Sequence, residues 1–287
     1  DAVVPVHRVT CTTGMMIRAL QTHFRPRRLY LLTRPENCPR LRALVANSES
    51  SVVCIDENRV IPNVSLSAVQ ALILRTGHPP DVIGGFGGHS TAGWYLQQLL
   101  KLGMGISTLN VSSRYLVWDA DAIMLRDFYP RWGTSLENKR GDPLPFFTFE
   151  RCARTYTRTL SKLLKSPLNA TRVGHVVHSM VMDSSIIDEM LRHICQTPRW
   201  GDRWVEAIVN ASCVAQSNAD CDMGFSEYES FARWVREFST IGRYRVAGHH
   251  RYIVRRHVWG CCPSVAALDN YAGHGEPFVM FEGGCQT

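Results

Sequence analysis

Two carboxylates one residue apart, Asp119-Ala120-Asp121, close the apolar run Tyr115-Leu116-Val117-Trp118. Paired acids offer hard oxygen ligands of the kind that hold a divalent cation. At the carboxyl end of a strand they stand where open α/β sheets bind their ligands. A cation there bridges a diphosphate and neutralises the charge that develops on it as a bond breaks. The tripeptide alone fits a solvated strand-end turn equally well, with Asp121 capping a short helix. Its setting is more specific: Arg114 opens the run, and Ile123-Met124-Leu125-Arg126-Asp127-Phe128 follows it.

A second acidic group stands in Phe225-Ser226-Glu227-Tyr228-Glu229. Ser226 is a good N-cap, and Glu227 and Glu229 fall in the first helical turn, where negative charge suits the helix dipole. Histidines cluster late, at His249, His250 and His257, and one of these is a candidate metal ligand. His175 and His178 have i, i+3 spacing, which on a strand faces opposite sides and excludes a shared metal. Gly84-Gly85-Phe86-Gly87-Gly88 lacks the ending of a phosphate-binding P-loop.

The elements that must position these groups alternate. Ala2 to Val6, Leu29 to Leu32, Ser51 to Ile55 and Arg114 to Trp118 read as buried strands. Gly14 to Phe24, Ser65 to Leu74 and Gly93 to Leu102 read as helices, the last closed by Gly103 in the left-handed region that helix ends favour. This alternation predicts a mainly parallel α/β sheet flanked by helices. Farther on, Pro143 to Glu150, Val173 to Met182, Arg243 to Val246 and Tyr252 to Val254 read as strands. Arg151–Leu164, Ser184–Ile194, Trp200–Val209 and Phe225–Phe238 read as helices. No repeat or linker divides the 287 residues, so one domain is expected, with a ligand-binding half to about residue 127 and a second half from 128.

Composition sets the compartment and narrows the partners. With 45% hydrophobic and 20% charged residues the chain is globular. The formal charge of +7 is spread over scattered arginines; with no zinc-finger spacing and no basic helix, no nucleic-acid partner is expected. Ten cysteines without a C-x-x-C pair predict disulfides in an oxidising compartment. Four N-x-[S/T] acceptors, at Asn63, Asn110, Asn169 and Asn210, point to the secretory lumen as well. No stretch reaches membrane-span length, so any membrane attachment would come from an N-terminal anchor missing from this sequence.

Three motifs in order, Gly93-Trp94-Tyr95-Leu96-Gln97-Gln98-Leu99-Leu100-Lys101, Trp118-Asp119-Ala120-Asp121 and Ser226-Glu227-Tyr228-Glu229, resemble those of poorly characterised glycosyltransferases of the GT-A fold. The resemblance covers nearly the whole chain. It implies a disulfide-stabilised, Rossmann-like GT-A domain that moves a sugar from a nucleotide-diphosphate donor, most commonly a UDP-sugar, to a hydroxyl of a glycan or glycoprotein. It implies Mn²⁺ or another divalent cation on Asp119, Asp121 and His257. It implies a donor site made of Pro5, His7, Arg8, Asp56 (with Glu57 beside it), Trp94, Arg114, Asp119, Ala120 and Asp121. Glu227, then Glu229, are the candidate bases, and His175 or His178 faces the sugar or acceptor cleft. The sequence has Tyr228 where such families often carry an Asp. The implied place is the Golgi or ER lumen, as the luminal domain of a type II membrane protein. A catalytically silent carbohydrate-binding protein on the same fold, or a nucleotidyltransferase, are the alternatives. The intact acidic motifs count against the first and the luminal signals against the second.

Overall fold

A computed structural model describes residues 1–45, 51–78, 90–127, 144–146, 154–169, 174–196, 203–213, 224–241, 244–246, 256–257 and 262–281. The glycine loop at 84–88, the strand expected at 252–254, His249 and His250 lie outside them.

The four expected strands form, as β1 (Ala2–Pro5), β2 (Arg28–Thr33), β3 (Ser51–Asp56) and β4 (Arg114–Trp118). With β7 (Ser179–Asp183) they make one sheet in the order β3-β2-β1-β4-β7. The first four are parallel, and β7 runs antiparallel to β4. The core of this sheet, from Ala2 to Val4 and Leu29 to Leu32 through Tyr115 to Trp118, is buried on both faces. That explains why these strands read as continuous apolar runs instead of alternating ones. The mainly parallel α/β architecture expected from the sequence is therefore present.

Helices α1 (Cys11–Ala19), α2 (Cys38–Leu44), α3 (Leu66–Arg75) and α4 (Thr91–Gly103) connect the first strands. Ser65 and Ser90 cap α3 and α4 by accepting from Ala68 N–H and Gly93 N–H. A second sheet, β5 (Ala122–Met124), β10 (Phe278–Met280) and β9 (Arg256–His257), starts directly after the D-A-D segment. Two three-residue strands, β6 (Leu144–Phe146) and β8 (Tyr244–Val246), pair in parallel. The remaining helices are α5 (Arg154–Leu164), α6 (Ser184–Cys195), α7 (Arg203–Cys213), α8 (Glu227–Glu237) and α9 (Val265–Gly273).

Disulfides join Cys11 to Cys262 and Cys38 to Cys54, bonds of the kind that persist in oxidising surroundings. No helix among the described residues is long and apolar enough to cross a membrane.

Two expectations are corrected. The strand read over 173–182 begins only at Ser179, because His178 takes a left-handed φ of 60° that breaks the extended run. Gly103 is not a left-handed helix end. It stays helical at φ −60°, and the chain continues into a short 3₁₀ turn at Met104–Ile106. Glycine is needed there for contact: a Cβ would lie 2.3 Å from Cγ1 of the buried Ile61. Gly103→Ala gains about 1 kcal/mol of helix propensity but overpacks the core at a cost of about 1–3 kcal/mol. A lower urea midpoint with unchanged slope is expected; an unchanged or higher midpoint would refute the contact argument.

Candidate active site

The D-A-D segment is a β-turn. Ala122 N–H donates to the Asp119 carbonyl at 3.1 Å, and the Trp118 indole donates to the Ala122 carbonyl at 2.9 Å. The turn separates the fates of the two acids. Asp119 is buried, whereas Asp121 and Ala120 are half-buried. The Asp121 carbonyl accepts from Phe281 N–H at 2.9 Å, which ties the turn to the end of β10.

Asp119 is held by three protein groups. Lys101 Nζ lies 2.6 Å from Oδ1, Tyr228 OH donates to Oδ1 at 2.9 Å, and His178 Nδ1 lies 2.8 Å from Oδ2. Lys101 Nζ is also 2.6 Å from Glu227 Oε1 and 4.5 Å from the Tyr228 ring centre. The three sequence motifs thus meet: Lys101 ends the first, Asp119 belongs to the second, Glu227 and Tyr228 to the third. Trp94 adds a further link, its indole donating to the Phe225 carbonyl at 3.1 Å.

Electrostatics follow the geometry. Burial alone would raise the Asp119 carboxyl, but Lys101 and His178 outweigh it and hold it well below the usual carboxylate range. Burial would lower Lys101; Asp119 and Glu227 outweigh that and keep it a cation. Glu227, with one cation shared between two acids, is pushed up by burial despite Lys101.

The candidate bases are corrected by this placement. A base must touch the hydroxyl it deprotonates, yet Glu227 is 0% exposed and faces Lys101. Glu229, equally buried, accepts from His175 N–H at 2.7 Å. Both carboxylates hold the scaffold together.

A cleft of about 310 Å³ opens at the carboxyl ends of β1 and β2. Its wall includes Pro5, Val6, His7 and Arg8 at and just after the end of β1, Leu32 from β2, Arg34 just after β2, and Glu57 after β3. Ser90, Gly93, Leu96, Gln97 and Leu100 of the α4 region close the other side. Pro5, His7 and Arg8, expected at a donor site, line this cleft. Asp56 does not: its Oδ1 caps a 3₁₀ turn by accepting from Asn58 N–H at 3.0 Å, and its neighbour Glu57 lines the cleft. Burial raises the Glu57 carboxyl, partly offset by Arg34 at 3.8 Å.

Trp94 is not part of this wall; its indole is bonded to the Phe225 carbonyl, just ahead of α8. Arg114 is corrected too. It opens β4 and donates to Asp183 Oδ2 at 3.0 Å, five strand positions from Asp119 and hence about 16 Å from it at ~3.3 Å per residue. His257 sits on β9, where Met280 pairs with both His257 and Ala122. That puts its backbone two strands, about 10 Å, from the D-A-D turn. Among the described residues, no cluster of three or more His, Cys, Asp or Glu is arranged to hold a metal. Of the acids at the turn, the half-buried Asp121 has the chemistry for a hard cation, and Asp119 is committed to Lys101, Tyr228 and His178.

Fold and site together define an α/β protein with a cleft at the carboxyl edge of a mainly parallel sheet, next to an acidic turn. Residues 10–258 match the family described as "Family of unknown function (DUF6492)", and the chain belongs to that family. No curated protein matches it. Among solved structures it is similar to mouse xyloside xylosyltransferase 1 in its apo form, at 12% identity and a TM-score of 0.47, over 100% of this chain and 98% of that one. It is also similar to an active-site mutant of LgtC, at 12% identity and TM-score 0.42, over 75% and 70% of the two chains. The galactosyltransferase LgtC with donor and acceptor sugar analogues gives 10% identity and TM-score 0.37, over 74% and 70%. The functional reading rests on the site's own residues.

Proposed function

We propose that the chain is a glycosyltransferase of the GT-A type, moving a sugar from a nucleoside-diphosphate donor to a hydroxyl of a glycan or glycoprotein. The observation that carries this is the cleft itself. It is of small-molecule size, has a carboxylate and cations in its wall, and lies one strand from the D-A-D turn. Pro5, Val6, Leu32 and Leu66 offer the apolar surface for a base. Glu57 accepts from N–H or hydroxyl donors of the nucleoside. Arg8 and Arg34, with the amino end of α4, favour the diphosphate.

Asp121 would be the protein ligand of a divalent cation, Mn²⁺ being the first to try, with His257 as a second ligand. When bound, that cation neutralises diphosphate charge. UDP is the proposed nucleotide, and the secretory lumen (Golgi or ER) the proposed place; the two disulfides among the described residues support an oxidising compartment.

Thermal unfolding with and without UDP and Mn²⁺ tests the reading. Ligand at about a hundred times its Kd stabilises by ~2.7 kcal/mol, and Asp121→Ala should abolish the Mn²⁺-dependent part. A screen of nucleotide sugars for slow metal-dependent hydrolysis then identifies the donor. Binding of neither UDP nor GDP with any divalent cation would sink the proposal. Glycan binding without donor turnover would point to a silent carbohydrate-binding protein.

A further inference from the structure

Four N-x-[S/T] tripeptides belong neither to the cleft nor to the buried cluster around Lys101. Their asparagines, Asn63, Asn110, Asn169 and Asn210, are all exposed. Asn110 and Asn169 accept bonds at their backbone carbonyls, from Tyr30 OH and the Arg233 guanidinium. No described residue bonds the side-chain amide of any of the four. Asn37 and Asn58, which start no such tripeptide, are held instead: Nδ2 donates to Thr33 Oγ1 at 2.9 Å and to Asp56 Oδ1 at 3.0 Å. Asn270 is exposed like the four, but Ala272 stands where the hydroxyl residue belongs.

The fold itself accounts for one of the four tripeptides. Asn63 takes a φ of 61°, a conformation that Asn tolerates better than most side chains, and Ser65 caps α3. At Asn169 the hydroxyl residue, Thr171, lies outside the described residues. Asn110 and Asn210 remain.

Asn110 stands in a pinned turn just ahead of β4. Its carbonyl accepts from Tyr30 OH at 3.2 Å, and Ser112 N–H donates to Asp1 Oδ2 at 2.7 Å. The φ of 29° accounts for Asn at this position, but Ser112 Oγ receives only a 3.4 Å contact from the exposed Arg27. The turn is at the amino edge of the sheet and the cleft at the carboxyl edge, so a large substituent on Asn110 leaves the cleft open. Asn210 is exposed on α7, where Asn is among the poorer helix formers. Ser212 is fully buried and donates to the Ile208 carbonyl at 2.7 Å. An enzyme that reads this hydroxyl therefore meets Asn210 before α7 forms, and the exposed amide leaves room for the product afterwards.

We propose that Asn110 and Asn210 carry N-linked oligosaccharides. This rests on the luminal placement proposed above. The donor class is an oligosaccharide carried on a lipid diphosphate. Nδ2 bonds to C1 of the first sugar as the C1–oxygen bond breaks. The lipid diphosphate leaves with that electron pair, and one amide proton passes to a base of the transferring enzyme.

The chain isolated from the cells that make it tests the assignment. Peptide-N-glycosidase acting in heavy-oxygen water turns each glycosylated Asn into a labelled Asp, and peptide masses should show the label at both sites. Asn110→Asp and Asn210→Asp, made in the same cells, remove the acceptor amide, and Asp keeps the left-handed option at position 110. Each variant should lose one step of the gel-mobility shift that the glycosidase abolishes. Thiol alkylation of the same sample reads the Cys11–Cys262 and Cys38–Cys54 bonds independently. Intact disulfides with neither asparagine labelled overturn the inference and leave the luminal reading standing; a label at one site alone overturns the other site. Free thiols at all four cysteines overturn the luminal reading, and this inference with it.

Discussion

Lys101→Met should lower the unfolding free energy by about 3–5 kcal/mol, the loss expected when one partner of a buried ion pair is removed. Folded domains of this kind are stable by only ~5–15 kcal/mol, so the variant would be close to unfolding at ordinary temperatures. Lys101 is 2% exposed and is shared by Asp119 and Glu227. Without it, two buried acids face one another with no cation between them.

The pH dependence has a definite sign. Burial already raises the Glu227 carboxyl above its ordinary value with Lys101 present, and removing Lys101 raises it further. A raised carboxyl contributes its stability below its unfolded value and loses it as pH climbs through the folded one. The deficit of Lys101→Met should therefore grow between pH 5 and pH 8. In the parent chain, the depressed Asp119 acts oppositely: its contribution is present above its unfolded value and is lost only in acid. Adding Glu227→Gln to Lys101→Met should restore part of the loss, since it removes one of the two unpaired charges. Denaturant unfolding at both pH values decides it, and a deficit that is flat or shrinking with pH contradicts the shared-cation account.

That cluster also marks where sequence patterning stops being informative. Buried parallel strands announce themselves as unbroken apolar runs, and Ser226 announces the start of α8. The D-A-D turn was placed correctly at the end of β4 by the same logic. Lys101 was harder to see. It stands in Leu99-Leu100-Lys101-Leu102, on a helix whose buried residues run around its whole circumference. A charge in such a helix needs a buried partner, but its partners are 18 and 126 residues away in Asp119 and Glu227.

Other misplacements came from direction and register. Arg114 shares a motif with Asp119 but sits at the other end of the strand. Asp56 and Glu57 are adjacent acids at a strand end, where one position exchanges one face for the other; Glu57 reaches the cleft and Asp56 caps a turn. The strands β5 and β10 are three residues each, too short to show a period. Glu227 and Glu229 have the types and positions of catalytic acids, and only their burial reveals what they hold.

Replacing Cys11 and Cys262 together by serine should cost about 2–5 kcal/mol. The cross-link spans 251 residues against 16 for Cys38–Cys54. In the chain-entropy account the longer loop constrains the unfolded state more, about 5 kcal/mol against ~3, so the first pair should be the costlier to lose. Its position adds a local effect. Cys11 opens α1 just after the cleft residues Pro5 to Arg8, and Cys262 lies between β9 and α9. The bond therefore fastens the segment bearing His257 to the element that follows the cleft wall. Its loss should weaken nucleotide binding in addition to lowering the melting temperature, whereas the Cys38–Cys54 double replacement should lower stability alone. Parallel melting and UDP titrations of the two serine pairs separate the effects. Equal losses of nucleotide affinity in both would show that the long cross-link acts on global stability only.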